Sequence, residues 1–263
     1  MTTIDYKNLL KDEIYLISRA EFEKQRLITT QFAQKLFANK NQASKILASL
    51  NKKGWLIQLE KGKYISVPLK APNQQWQPNE FVIASLLMEA IPYYIGYFTM
   101  YNYWGFTEQV PRIIFILNTV KSRKIIIKNI TYQAVKIDPS KYYGIQKIKI
   151  EDQEVYISDK ERTLVDFAFN PLGSLQNFEI ALKNNIKEID IEKFIKYLKK
   201  FPVLSVLKRV GFLLEEINCE RKYLDDLKSR ISISKQKTFV VLNPFNKSRK
   251  GTVNNEWQII VNR

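Results

Sequence analysis

The stretch from Thr29 to Val67, TTQFAQKLFANKNQASKILASLNKKGWLIQLEKGKYISV, constrains what this chain can fold into more than any other, because its apolar period switches midway from helical to alternating. Thr29 and Thr30 are N-cap candidates for a short helix, Gln31 to Phe37, with Phe32, Ala33 and Leu36 on one face. Asn39-Lys40-Asn41 interrupts it, and Asn41 can cap a second helix, Gln42 to Lys53. There Ala43, Ile46, Leu47 and Leu50 fall at i, i+3, i+4 and i+7, a single stripe to bury. Gly54 stops that helix. Trp55–Leu59 and Lys63–Val67 follow as a hairpin about a Glu60-Lys61-Gly62 turn, with Lys61 and Lys63 at its tip.

The outward side of the second helix carries Gln42, Ser44, Lys45, Ser49, Lys52 and Lys53, which are donors, acceptors and cations without a carboxylate. A helix of this kind suits a major groove, where side chains hydrogen-bond base edges without repelling phosphate. From Thr29 to Val67 there are seven lysines against the single acid Glu60, whereas a merely solvated face mixes signs. We therefore expect a winged helix-turn-helix that binds DNA. Small winged modules that contact only protein share the same pattern.

Composition narrows the rest. A chain of 263 residues suits two or three domains, and 45% hydrophobic residues suffice for real cores. No apolar run is long enough to span a membrane, and MTTIDYKNLL lacks the apolar core of a secretory signal. The lone Cys219 rules out an intramolecular disulfide and cysteine-cluster zinc, and points to a reducing cytoplasm. Histidine is absent, which removes Ser-His and Cys-His nucleophile pairs and imidazole bases. The net charge of +16 is uneven: +7 over residues 1–77, +1 over 78–170 and +8 over 171–263. Two basic ends flank a near-neutral middle, as a DNA-reading head and a second polyanion-facing surface would require.

Ahead of the constraining stretch, Asp5 to about Arg26 reads as helix, with a Ser18-x-x-Glu21 capping box that would divide it in two. Pro68–Pro78 reads as a linker. Asn79 caps a helix, Glu80–Ala90, and the aromatic run Tyr93–Trp104 reads as core that continues helical to Gly105. Five short β-branched runs follow, Ile113–Leu117, Lys124–Lys128, Tyr132–Ile137, Gly144–Ile150 and Glu154–Ile157, the pattern of a mostly antiparallel sheet. Ser158-Asp-Lys-Glu161 offers a capping box for a helix from Arg162 to Phe169. Helices are then expected at 175–181, 191–200, 203–217 and 221–230, and strands at 239–242 and 257–261. Between those strands, Lys247, Arg249 and Lys250 make a cationic loop suited to phosphate.

Three of these segments carry a resemblance. Gly105-Phe-Thr-Glu-Gln-Val-Pro111, Ser158-Asp-Lys-Glu-Arg-Thr-Leu-Val-Asp166 ending at Pro171, and the tail Leu242-Asn-Pro244, Gly251, Asn255-Glu-Trp257, Val261-Asn262 are similar to AbiEi-type antitoxins of type IV toxin–antitoxin systems. With the head, the resemblance spans nearly the whole chain. It implies a winged-helix DNA-binding domain joined to a C-terminal antitoxin domain, repression of the chain's own operon, and neutralisation of a nucleotidyltransferase-like toxin. The head is Lys-rich and Arg-poor beside that pattern, so base contacts do not carry over from the family.

An enzymatic alternative rests on Gly173-Ser174 and Asp190-Ile191-Glu192. Nucleotidyltransferases hold phosphate on a Gly-Ser turn and magnesium on alternate carboxylates of a strand. Asp190 fits better as the cap of the following helix, where residues 190 and 192 diverge.

The expected architecture is α+β. A winged head spans 1–70, a linker 71–78, and an antitoxin domain 79–263, with an α+β part at 79–171 and a mainly helical part at 172–263 ending in strands. The expected function is a non-enzymatic antitoxin and repressor, without cofactor or metal and without membrane attachment. It would bind double-stranded promoter DNA bearing inverted repeats, and act on its toxin functionally or by direct contact. Gln42, Ser44 and Lys45 are expected at base edges and Lys52, Lys53, Lys61 and Lys63 on phosphates, with Thr29, Thr30, Lys40, Asn41 and Ser49 completing the DNA-facing set.

Overall fold

The computed structural model describes residues 8–71, 76–234 and 238–263. The protein is a mixed α+β chain in two compact units, residues 1–89 with the turn 127–129, and residues 90–126 with 130–263. The expected linker, 71–78, lies partly on residues outside the described set, as does the start of the first helix at Asp5.

In the first unit α1 (Lys11–Phe22) leads into β1 (Leu27–Thr29), α2 (Thr30–Leu36), α3 (Lys40–Lys52), β2 (Leu56–Glu60) and β3 (Lys63–Ser66), then α4 (Glu80–Leu87). The strands form one antiparallel sheet in the order β1-β3-β2, with Leu27 opposite Ile65 and Thr29 opposite Lys63. Ala43, Ile46, Leu47 and Leu50 of α3 are buried against Leu16, Ile17 and Ala20 of α1, as the 3.6-residue period requires.

Three local expectations are corrected. The helix does not break at Ser18, which lies mid-helix; the Glu21 carboxylate instead accepts from the Leu69 backbone N–H at 2.9 Å. Asn39, not Asn41, caps α3, accepting the Asn41 N–H at 2.8 Å, so the helix starts two residues early. The third strand, β1, was hidden because its three residues are too few to show a period, and Thr29 at its end also caps α2 by accepting from Phe32 N–H at 3.0 Å.

The second unit holds a six-stranded sheet, assembled from β4 (Tyr93–Ile95), β5 (Ile113–Asn118), β6 (Arg123–Ile127), β7 (Ile130–Lys136), β8 (Ile145–Ile150) and β9 (Gln153–Ser158) in the order β6-β7-β5-β4-β9-β8. It is mixed, with both parallel and antiparallel neighbours. β5 with β7 and β4 with β9 run parallel, while β4 with β5 and β8 with β9 run antiparallel. The aromatic run is not continuous helix. Its first residues form central strand β4, Tyr97 turns the chain at φ +50°, and only Phe98–Tyr103 (α5) is helical.

Helix α6 (Lys160–Phe169) is capped by Asp159, whose carboxylate accepts from Arg162 N–H at 2.8 Å; Ser158 ends β9 with its hydroxyl on Thr163. Along α6 the Arg162 guanidinium, 1% exposed, grips Asp166 through Nε at 3.1 Å and Nη2 at 2.8 Å and lies 4.4 Å from the Tyr143 ring centre. The remaining helices are α7 (Leu175–Asn185), α8 (Ile191–Lys200), α9 (Leu204–Glu216) and α10 (Arg221–Ile233). A three-stranded sheet, β10 (Val240–Val241), β11 (Thr252–Asn254) and β12 (Ile259–Val261), closes the chain in the order β10-β12-β11.

Candidate nucleic-acid interface

A helix shows three sides to its surroundings, and α3 uses each differently. Ala43, Ile46, Leu47 and Leu50 are buried. Gln42, Ser49 and Lys53, at i, i+7 and i+11, share a flank turned to α1. Gln42 Nε2 donates to Asp12 Oδ2 at 2.8 Å. The Ser49 hydroxyl donates to Glu13 Oε1 at 2.6 Å, and Lys53 Nζ lies 2.9 and 2.7 Å from the two Glu13 oxygens. The third side is open, a stripe of Asn41, Ser44, Lys45, Ala48 and Lys52 at i, i+3, i+4, i+7 and i+11, all exposed.

Glu13 is the hub of the α1–α3 junction. It is 1% exposed and also accepts the Leu10 N–H at 2.7 Å. Burial alone would raise its carboxyl, but the hydrogen bonds from Lys53, Ser49 and Leu10 outweigh that and hold it below the usual carboxylate range. The single outward face read from the sequence therefore divides in two. Ser49 and Lys53 spend their polar atoms on Glu13 and Gln42 on Asp12. The signal was available as an acidic pair in α1 and a flank of donors on α3, yet periodicity cannot say which neighbour a flank meets.

The other residues expected from the sequence to face DNA fall as follows. Lys40 opens α3, exposed, and its carbonyl accepts the Ser44 hydroxyl at 3.1 Å. Lys61 is exposed at the hairpin tip, while Lys63 stands 3.9 Å from Glu60. The tip is fixed to the start of α2, since Thr30 N–H donates to the Gly62 carbonyl at 2.9 Å. Gly62 has φ +77°, and a Cβ there would lie 2.8 Å from the Thr30 hydroxyl, so glycine is needed twice over. Among the described residues, Lys35, Lys40, Lys45, Lys52 and Lys61 have no carboxylate within ion-pairing distance.

On the second unit, Lys247, Arg249 and Lys250 are exposed on the connection from β10 to β11. The Asp190 carboxylate caps α8, accepting Lys193 N–H at 3.0 Å, and Glu192 is exposed near Tyr223. Among the described residues no three His, Cys, Asp or Glu side chains gather as a metal site, and no helix is long and apolar enough to cross a membrane.

No protein-family model matches this sequence, and no curated protein does. Among solved structures, the chain is similar to the RV2827C protein from Mycobacterium tuberculosis. The TM-score is 0.63 over 96% of this chain and 92% of that one, at 12% sequence identity. At that identity the likeness concerns the fold.

Proposed function

We propose that this chain is a DNA-binding regulator of the AbiEi antitoxin kind, which represses its own promoter and counteracts a nucleotidyltransferase-like toxin in the cytoplasm. The observation that carries the reading is the carboxylate-free open stripe of α3, Asn41, Ser44, Lys45, Ala48 and Lys52. It lies on the second helix of a helix pair, ahead of a hairpin tipped by Lys61. The element order α1-β1-α2-α3-β2-β3 with sheet order β1-β3-β2 supports a winged helix-turn-helix with α3 as its reading helix.

In this reading Asn41, Ser44 and Lys45 meet base edges, because the first turns of a reading helix reach deepest, and the small Ala48 and Ser44 side chains let the helix approach the groove floor. Lys40, Lys52 and Lys61 take flanking phosphates. Gln42, Ser49 and Lys53 position the helix rather than touch DNA. The antitoxin half of the proposal rests on the three sequence segments that resemble the family.

Gel-shift titration of the full chain on the DNA upstream of its own gene is the test. Lys45→Glu is expected to abolish the shifted band. Lys61→Ala is expected to weaken all sequences alike and to flatten the log–log salt slope by about one phosphate. Wild-type behaviour from both variants would overturn the DNA reading. Co-expression with the product of the neighbouring gene tests the other half, the expected outcome being relief of its growth arrest.

A further inference from the structure

The connection from β10 to β11 is a built loop. β10 runs parallel to β12 and β11 antiparallel to it, so the chain must cross the end of β12, where Asn262 sits 2% exposed. The Asn262 amide binds both arms of the crossing. Its Nδ2 donates to the Asn243 carbonyl at 2.9 Å and the Ser248 carbonyl at 2.8 Å, and its Oδ1 accepts the Asn243 N–H at 2.8 Å. Asn246 Nδ2 donates to the Asn262 carbonyl at 2.8 Å while its Oδ1 accepts the Ser248 N–H at 3.0 Å. The return passes so close to β12 that a Cβ at Gly251 would stand 2.0 Å from the Val261 carbonyl oxygen.

With the backbone held at Asn243, Asn246 and Ser248, the remaining side chains have nowhere to go but outward. Phe245 is 55% exposed, and Lys247, Arg249 and Lys250 are exposed. Among the described residues none of the three cations has a carboxylate partner. Elsewhere in the unit Lys160, Lys193, Lys199 and Lys228 each pair with an acid. A fixed loop presenting three unneutralised cations and a bare aromatic ring matches what single-stranded nucleic acid requires, phosphates to neutralise and a base face to stack on. A duplex hides its base faces, whereas a single strand offers phosphates and an open base side by side.

The geometry points to a second nucleic-acid site on the C-terminal unit, in which Lys247, Arg249 and Lys250 bind the backbone of a single strand and Phe245 stacks on one of its bases. The site is independent of the α3 reading, and DNA and RNA share the chemistry.

Fluorescence anisotropy with the full chain tests it, using labelled single-stranded DNA and RNA of about 15 nucleotides and the matching duplex over roughly 50 to 200 mM salt. The variant K247A/R249A/K250A is expected to bind both single strands at least about tenfold more weakly, with a log–log salt slope lower by about 2. Phe245→Ala is expected to cost about fivefold or more on single strands and nothing on the duplex. Lys45→Glu should leave single-strand affinity in place, which separates this site from the α3 reading. All four side chains are exposed, and matching thermal unfolding of the variants confirms that the fold is intact. Wild-type single-strand affinity and slope in the triple variant would overturn the proposal. So would an equal loss on duplex and single strand together with a silent Phe245→Ala, or loss of polyglutamate binding alone, the last marking an acidic-protein surface.

Discussion

Helix α3 carries Lys40, Lys45 and Lys52 on its outer side and α8 carries Lys193, Lys196, Lys199 and Lys200, each over a continuous apolar stripe. Around α8 the neighbouring elements bring carboxylates to two of the four lysines. Lys193 Nζ lies 3.0 Å from Asp159 and 2.9 Å from Glu161, Lys199 meets Asp226, and Lys200 sits over the Tyr143 ring. Around α3 the acids of α1 reach one flank only and pair with Lys53, and among the described residues the lysines of the open stripe have no carboxylate partner. A run of lysines in sequence is therefore not yet a cationic surface. What decides is whether the elements packed beside it carry acids at the matching height.

The most direct way to break this contrast is to give α3 what α8 has. Ala48→Glu places a carboxylate between Lys45 and Lys52 at i+3 and i+4 spacing. We expect promoter affinity to fall about a hundredfold, or ~2.7 kcal/mol, while thermal stability stays within roughly 0.5 kcal/mol. Unchanged affinity by anisotropy would mean that the open stripe is not the binding face.

Glu13→Gln attacks the flank instead. The charge that takes hydrogen bonds from Leu10, Ser49 and Lys53 is lost, at a cost of about 2 kcal/mol in urea unfolding, with promoter affinity at the wild-type level or tighter. Because the folded Glu13 carboxyl lies below its unfolded value, its contribution is complete above the unfolded carboxylate range. It is lost as pH falls through the folded value, so the wild type should lose more stability on acidification than the variant. Equal acid profiles would remove Glu13 from its place as the hub.

The smallest effect belongs to α8. Lys193→Ala should cost roughly 0.2–1 kcal/mol, since the ammonium is partly exposed, and should leave promoter binding untouched. Burial would lower the Lys193 ammonium, but the Asp159 and Glu161 hydrogen bonds raise it. Its contribution is therefore full below the unfolded lysine range and lost as pH rises through the folded value, a loss that the variant should not show. A fall in promoter affinity would return α8 to the binding surface.

Legibility followed range. Helix α8 from Ile191 to Lys200 with its Asp190 cap, and the buried stripe of α3, could be read from the sequence because caps and stripes depend on residues three or four apart. Strand β4 could not, because Tyr93–Ile95 is strand only through pairing with β5 and β9, and by itself an aromatic run suits either period. The parallel pairing of β5 with β7 escaped for the same reason, since strand signals carry no direction. At the candidate interface the residue types were legible, but their division into a positioning flank and an open stripe was not.

By itself the sequence determined most of the helices, the apolar stripes of α3 and α8, and that both ends of the chain are basic, since these depend on neighbours in the chain and on composition. The tertiary structure alone decided which cations pair with an acid of the same chain. Glu13 reaches α3 across more than thirty residues, and Asn262, beyond β12, clamps both arms of the β10–β11 loop. Such contacts exist only once distant segments have packed, and no local period encodes them.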